Sequence, residues 1–480
     1  MFILAATFIL QPARKVRAEE EALPDNTAQE GTIEDSGAQE ELTEEEKKAA
    51  EEEKEKQESY AVTPDTNALE GWSKGPNVYG ASAIVMDMDS KAILYGKRAD
   101  ERHYPASITK LLTTLVALEN AQLTDSITFS EDSISFLEYG DASIGMTPGE
   151  VLTLNDALYG VLLASANEVS YAVAENVGKK MGGDYSTFIQ EMNDRAAELG
   201  CTGSHWVNAN GLHDEEHYTT AHDMALIASE VWKREEFQTI MKSLSYTIPK
   251  TNLMDEERVV YQNHKMLWPE NYYYYTYCTG GKTGYTDQSK TTLVTMADNG
   301  KMRLAAVVLY DYGVSAYEDT KAMLDYTFQN FNRIDLNADT TAVSEGEIQS
   351  FAENSYVTVP NGVTLADLEK EITVTDETSG AGEAVYFYEG QNVGTVSVTL
   401  TEEYMTSLEE EQKGKIDGQE KGTSQEKEKE KSWIFSPVKL LIIVGIAAVL
   451  VIAVIVFLTK QRQKRRRKRR GSHHRGRRQR

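Results

Sequence analysis

Nineteen consecutive residues, Leu440 to Leu458, carry neither a charge nor a hydrogen-bonding side chain. Wound at about 1.5 Å per residue, a run of that length nearly crosses the hydrocarbon of a bilayer. Directly behind it, Lys460 to Arg480 hold 13 Lys or Arg and no Asp or Glu. Basic residues stay on the cytoplasmic side of a span. The sequence therefore predicts a transmembrane helix over 438–459, a basic cytoplasmic tail over 460–480, and everything before Lys439 outside the cell. The formal charge of the whole chain is -27, so the part ahead of the tail carries about -40. Such a body repels nucleic acid. Stop-transfer and contact with anionic lipid account for the tail without a nucleic-acid partner.

The other end fits export. Met1–Leu10 is apolar, and Val16-Arg17-Ala18 is a small-x-small pattern ahead of acidic residues. It resembles a secretory signal peptide over 1–18, without the usual basic residues in front of the apolar run. Residues 19–66 and 405–437 are rich in Glu, Lys and Gln and poor in large apolar side chains. Burial there cannot offset ordering entropy, so both read as spacers, disordered or transiently helical. Two cysteines, Cys201 and Cys278, have no metal-site or redox spacing and read as unpaired thiols.

Between the spacers the pattern alternates strand and helix. Ala81–Asp87 and Ala92–Gly96 read as a hairpin, Ser107–Glu119 and several later segments as helices, Thr291–Met296 and Met302–Tyr310 as strands, and Lys321–Phe331 as a closing helix. Together they predict a mixed α/β body over 67–335. Short alternating runs over 336–404, parted by Gly, Asn and Asp, predict a small β-region.

Three short motifs lie along the first body: Ser107-Ile108-Thr109-Lys110, Ser165-Ala166-Asn167 and Lys282-Thr283-Gly284. Each alone is common. Ser107 and Lys110 share a helix face, and Pro105-Ala106 places the serine in a first turn, where free N–H groups favour a developing anion. A serine hydroxyl attacks poorly unless a base takes its proton. Lysine serves when burial or a neighbouring cation lowers its pKa. Ser165 and Asn167 can face one cleft, the first as a proton relay and the second to orient substrate and Lys110. Lys282 and Thr283 on a strand edge can hold a carboxylate, and Gly284 permits close backbone approach. Gly-Lys-Thr also ends phosphate-binding loops, but the first glycine of that pattern would fall on Thr276, and a helix should follow where this chain turns to strand. As a set, the motifs describe acyl transfer through a serine, with no metal and no cofactor.

In this order the motifs resemble those of penicillin-binding proteins, and 72–331 looks like the D-Ala-D-Ala carboxypeptidases of peptidase family S11. Arg102–Lys110, Asn208-Ala209-Asn210-Gly211-Leu212, His217–Ala225 and Asn263–Leu267 carry further likeness. The resemblance implies a serine transpeptidase/β-lactamase-like domain, an antiparallel sheet flanked by helices, with a small C-terminal β-domain. It implies catalytic Ser107, Lys110 and Ser165, substrate contacts from Asn167, Lys282, Thr283 and Gly284, and an oxyanion hole from the N–H groups of Ser107 and Tyr285. Peptidoglycan stem peptides are the implied substrate and β-lactams the inhibitors, at a bacterial cell membrane. Two departures stand out: Glu168 where members commonly carry Asp, and no Arg in Leu309–Leu324 for the substrate carboxylate. A DD-endopeptidase, a β-lactamase-like hydrolase and a weakly catalytic wall-binding scaffold are the alternatives. The tyrosines at 272–275 are expected to pack or to form a mobile loop, with a sugar-binding platform as the alternative.

Overall fold

The computed structural model describes residues 43–337 and 346–408. The expected signal segment, membrane span and basic tail lie outside them, and none of the described helices is long and apolar enough to cross a membrane. The chain runs through α1 (Glu44–Tyr60), the hairpin β1 (Ser82–Asp87) and β2 (Ile93–Lys97), α2 (Lys110–Asn120), β3 (Ser126–Thr128), α3 (Asp132–Ser135) and β4 (Val151–Thr153). Helices α4 (Leu154–Leu162), α5 (Asn167–Lys180), α6 (Tyr185–Glu198), α7 (Ala221–Val231) and α8 (Glu235–Met241) follow. Next come the hairpin β5 (Ser245–Ile248) and β6 (Arg258–Tyr261), the strands β7 (Cys278–Thr286), β8 (Lys290–Asp298) and β9 (Arg303–Asp311), and α9 (Ser315–Asn330).

The main sheet is antiparallel, ordered β2-β1-β9-β8-β7. Side chains alternate across a strand, and here both faces are covered. Ile84, Met86, Val307 and Leu309 join a core with the helices from α2 to α8, whereas Ala83, Val85, Ala306 and Val308 join a second core with α9. That explains why β1 and β9 are apolar almost throughout rather than at every second residue. Strand β7 is left as an edge, which keeps one side of it open to a cleft.

The remaining strands are β10 (Phe331–Asp335), β11 (Ile348–Phe351), β12 (Tyr356–Pro360), β13 (Glu369–Asp376), β14 (Ala381–Tyr388) and β15 (Gln391–Leu400). Four of them form the sheet β11-β15-β14-β13, and β10 pairs with β12. The β-region thus begins directly behind the larger body, since β10 follows α9 without a loop. It is fastened to the β1–β2 turn. Buried Asp87 accepts from Tyr356 Oη (3.0 Å) and Thr358 Oγ1 (2.9 Å), and Thr395 N donates to Ser90 O (2.8 Å). Burial pushes the Asp87 carboxyl up, against the N–H groups of Ser90 and Asp89.

Four details differ from the sequence reading. Within the expected spacer, Glu44–Tyr60 is a helix, started by a reciprocal pair between Thr43 and Glu46. Its end is held: Lys97 Nζ donates to Ser59 O (2.8 Å), and Tyr60 stacks on Tyr79 at 4.5 Å. Ser107 lies in a 3-10 turn, Ala106–Thr109, and the α-helix begins only at Lys110. Helix α9 starts six residues before the expected Lys321, with buried Ala316, Tyr317 and Thr320 on its core side. Finally, the tyrosine run divides: Tyr275 is 5% exposed and Tyr272 is 89% exposed.

Candidate active site

Two tight turns present the reacting groups. Ala106 has φ +51° and Ser165 φ +62°, left-handed values that each cost on the order of 1 kcal/mol in a non-glycine residue. The neighbours enforce both. A Cβ on Gly211 would sit 1.9 Å from Ala106 O, so only glycine fits against the nucleophile turn. Pro105 O accepts from Thr292 Oγ1 (2.8 Å) on β8. Beyond Ser165, Ala166 N reaches Gly160 O (3.1 Å), and Asn167 N reaches Ala142 O (2.7 Å).

Lys110 is fully buried, and its Nζ stands 2.9 Å from Ser107 Oγ, 2.8 Å from Asn167 Oδ1 and 2.5 Å from Asn210 O. Burial, reinforced by the nearby Lys282 charge, drives its pKa well below the ordinary lysine value. A neutral amine has two N–H groups and one lone pair. Asn167 Oδ1 and Asn210 O can only accept, so they take both hydrogens. The lone pair is left facing Ser107 Oγ, as a general base requires.

Lys282 is 1% exposed and donates to Ser165 Oγ (2.9 Å) and Thr283 O (2.8 Å). Burial lowers its pKa to about 7. Its amino group therefore lies beside the Ser165 hydroxyl rather than among the residues that line the cleft. Thr283 and Gly284 face a cleft of about 960 Å³ that Ser107, Ser165, Asn167 and Tyr285 also line. A Cβ on Gly284 would lie 2.8 Å from Ser107 N and 2.4 Å from Thr292 Oγ1, so β7 approaches the nucleophile as closely as a backbone can. Tyr285, 62% exposed, lines the cleft mouth. All eight expected site residues therefore gather around one cleft, six lining it and the two lysines behind its wall.

Glu168 is fully buried; its Oε1 accepts from Ser143 Oγ and Ile144 N, both at 2.7 Å. It thus pins the loop whose Glu138, Tyr139 and Asp141 roof the cleft. Sequence reasoning assigned no task to Asn210 or Lys265. Asn210 acts through its carbonyl, which side-chain chemistry cannot reveal; the Asn-Gly pair that turns the chain there was the available signal. Lys265 lines the cleft with its Nζ 5.8 Å from the Tyr273 ring centre and 5.6 Å from that of Tyr317, and among the described residues it forms no ion pair. Cys201 and Cys278 are both free.

The model of the D-alanyl-D-alanine carboxypeptidase family, Peptidase_S11, matches residues 71–312. D-alanyl-D-alanine carboxypeptidase DacF of Bacillus subtilis is 30% identical over 337 residues, covering 66% of this chain and 80% of its own. DacC of Escherichia coli is 28% identical over 363 residues, covering 71% and 85%. The crystal structure of the Streptomyces K15 DD-transpeptidase aligns over 54% of this chain and all of its own, at 25% identity and a TM-score of 0.49. With half of its length matched by the family model and its three motifs meeting at one cleft, the chain belongs to the D-alanyl-D-alanine carboxypeptidases of peptidase family S11.

Proposed function

We propose that this protein is a membrane-tethered, extracytoplasmic serine DD-carboxypeptidase that removes the terminal D-Ala from peptidoglycan stem peptides. Ser107 Oγ attacks the carbonyl carbon of the penultimate D-Ala while its proton passes to Lys110 Nζ. The N–H groups of Ser107 and Tyr285 hold the oxyanion, worth roughly 3 kcal/mol per donor. Ser165 hands its proton to the leaving amine and regains one from the Lys282 ammonium 2.9 Å away, the C–N bond breaks, and D-Ala departs. Water then cleaves the Ser107 ester, its proton passing through Ser165 to Lys282 while Lys110 returns its proton to Ser107 Oγ. Thr283 and Lys265, both on the cleft wall, supply the hydroxyl and the cation for the terminal carboxylate in place of the absent arginine. β-Lactams acylate the same oxygen. The convergence of Ser107 Oγ, Asn167 Oδ1 and Asn210 O on Lys110 Nζ carries this reading; the apolar run at 440–458 and its basic flank support the tether.

Full-length protein in detergent should take a covalent fluorescent penicillin label and release free D-Ala from a pentapeptide, and Ser107→Ala should do neither. Labelling of Ser107→Ala equal to wild type would remove the assignment.

A further inference from the structure

The nucleophile turn is held by a buried hydrogen-bond chain whose far end is a histidine. Ala106 O accepts from Thr109 Oγ1 at 2.8 Å. The same hydroxyl lies 2.9 Å from His217 Nε2, and Val207 N donates to His217 Nδ1 at 3.1 Å. Thr109 has no accessible surface and His217 is 1% exposed, so water cannot replace either partner. One proton arrangement satisfies every group. Nδ1 must be bare to receive Val207 N–H, so Nε2 carries the proton and gives it to Thr109 Oγ1. The hydroxyl's own proton is thereby directed at Ala106 O. Burial holds the His217 pKa down to about 3, so the imidazole stays neutral, and the Val207 N–H facing Nδ1 excludes the other tautomer. Trp206 packs edge-on against the ring at 5.3 Å between centres.

We infer that His217 is a positioning residue for acylation: through Thr109 it fixes the left-handed Ala106 peptide and so aims Ser107 Oγ at Lys110. The residue at the turn is not glycine, so its φ of +51° persists only while its surroundings impose it. Gly211 blocks one side of the Ala106 carbonyl, and the Thr109 hydroxyl holds its oxygen. Without Nε2–H that hydroxyl can turn away, the Ala106 peptide can relax, and Oγ leaves the 2.9 Å contact with Lys110. The same histidine braces Val207, three residues before the Asn210 carbonyl that accepts from Lys110. Nucleophile and base are thus referred to one ring.

The inference rests on Ser107 being the acylated residue, and the test separates the two. Stopped-flow acylation of the full-length protein by a fluorescent penicillin yields a non-covalent dissociation constant and an acylation rate constant. His217→Asn keeps an acceptor for Val207 N–H but cannot reach Thr109, whereas His217→Gln places an amide N–H near the Nε2 position. His217→Asn should lower the rate constant about 10- to 100-fold, the cost of a nucleophile misplaced by roughly 1 Å, with the dissociation constant unchanged and thermal midpoint close to wild type. His217→Gln should recover most of the rate. Thr109→Val should reproduce the loss, and the double variant should be no slower than the slower single one. Should His217→Asn fail to fold, Thr109→Val decides, since it cuts the same link. Equal losses in the Asn and Gln variants, a loss confined to the dissociation constant, or a wild-type rate in Thr109→Val would overturn the inference. Absence of any acyl-enzyme in wild type would instead remove the assignment of Ser107.

Discussion

Two buried lysines show how one amino group can be structural in one place and reactive in another. Under β2, the ammonium of Lys97 is caged by Ser59 O, Ser59 Oγ, Val78 O and Gly80 O at 2.7–3.0 Å. Behind the cleft, Lys110 meets two acceptors and one hydroxyl. Burial depresses both pKa values, but the second influence has opposite sign. Near Lys97 the Asp319 charge pulls back, leaving its pKa at about 8, whereas near Lys110 the Lys282 charge adds to the depression. Lys97 therefore stays largely protonated near neutrality and saturates its hydrogens. Lys110 is pushed toward the neutral form, which has a lone pair to offer. Local partners, more than depth, separate a clamp from a base.

The comparison can be broken most sharply by exchanging each lysine for methionine. Lys110→Met should slow penicillin acylation by roughly 10³-fold or more, within the range of a lost general base, while Lys97→Met should leave it within about threefold. Similar losses in the two would erase the distinction. A narrower contrast lies in pH. Acylation should decline above about pH 7 as Lys282 releases its proton, by up to tenfold per further pH unit. Lys282→Gln should be slower throughout and lack that decline; an unchanged alkaline limb would put the titration elsewhere. The smallest effect is on stability. Unfolded lysines hold their protons to about pH 10.4, whereas the folded chain releases those of Lys282 and Lys97 from about 7 and 8. The unfolded state binds more protons over that interval, so denaturant stability should rise between pH 7 and 10. Above pH 10 the trend should reverse, because buried Tyr95 and Tyr275 keep protons that the unfolded chain gives up. At pH 7, Lys97→Met should cost about 1–3 kcal/mol through the acceptors it strands, and a neutral or stabilising result would show the cage to be dispensable.

The same contrast marks how far the sequence could be read. The three motifs that meet at the cleft were legible as a candidate site because each is short and its residue types suggest a chemistry. The strands were legible because β1, β8 and β9 are apolar on both faces. What escaped depends on distant partners. Lys97 looks like any strand-end lysine until Ser59, Val78 and Gly80 surround it, and nothing near Lys282 in the chain reveals that Ser165 will take its proton. Helix α9 began too late in the sequence reading because Val314–Asp319 shows no run of strong apolar periodicity. The 3-10 turn at Ser107 was read as α-helix because alanine gives no local sign of a left-handed residue.

Helix α9 begins beside the cleft, where Tyr317 forms part of the wall, and ends at Asn330, directly before Phe331, which is already paired with Pro360. Sixteen residues at about 1.5 Å each make a strut some 24 Å long. Because no flexible joint separates that strut from β10, whatever surface the β-region rests against also decides which way the opening points, and so which stretch of a cell wall can feed it.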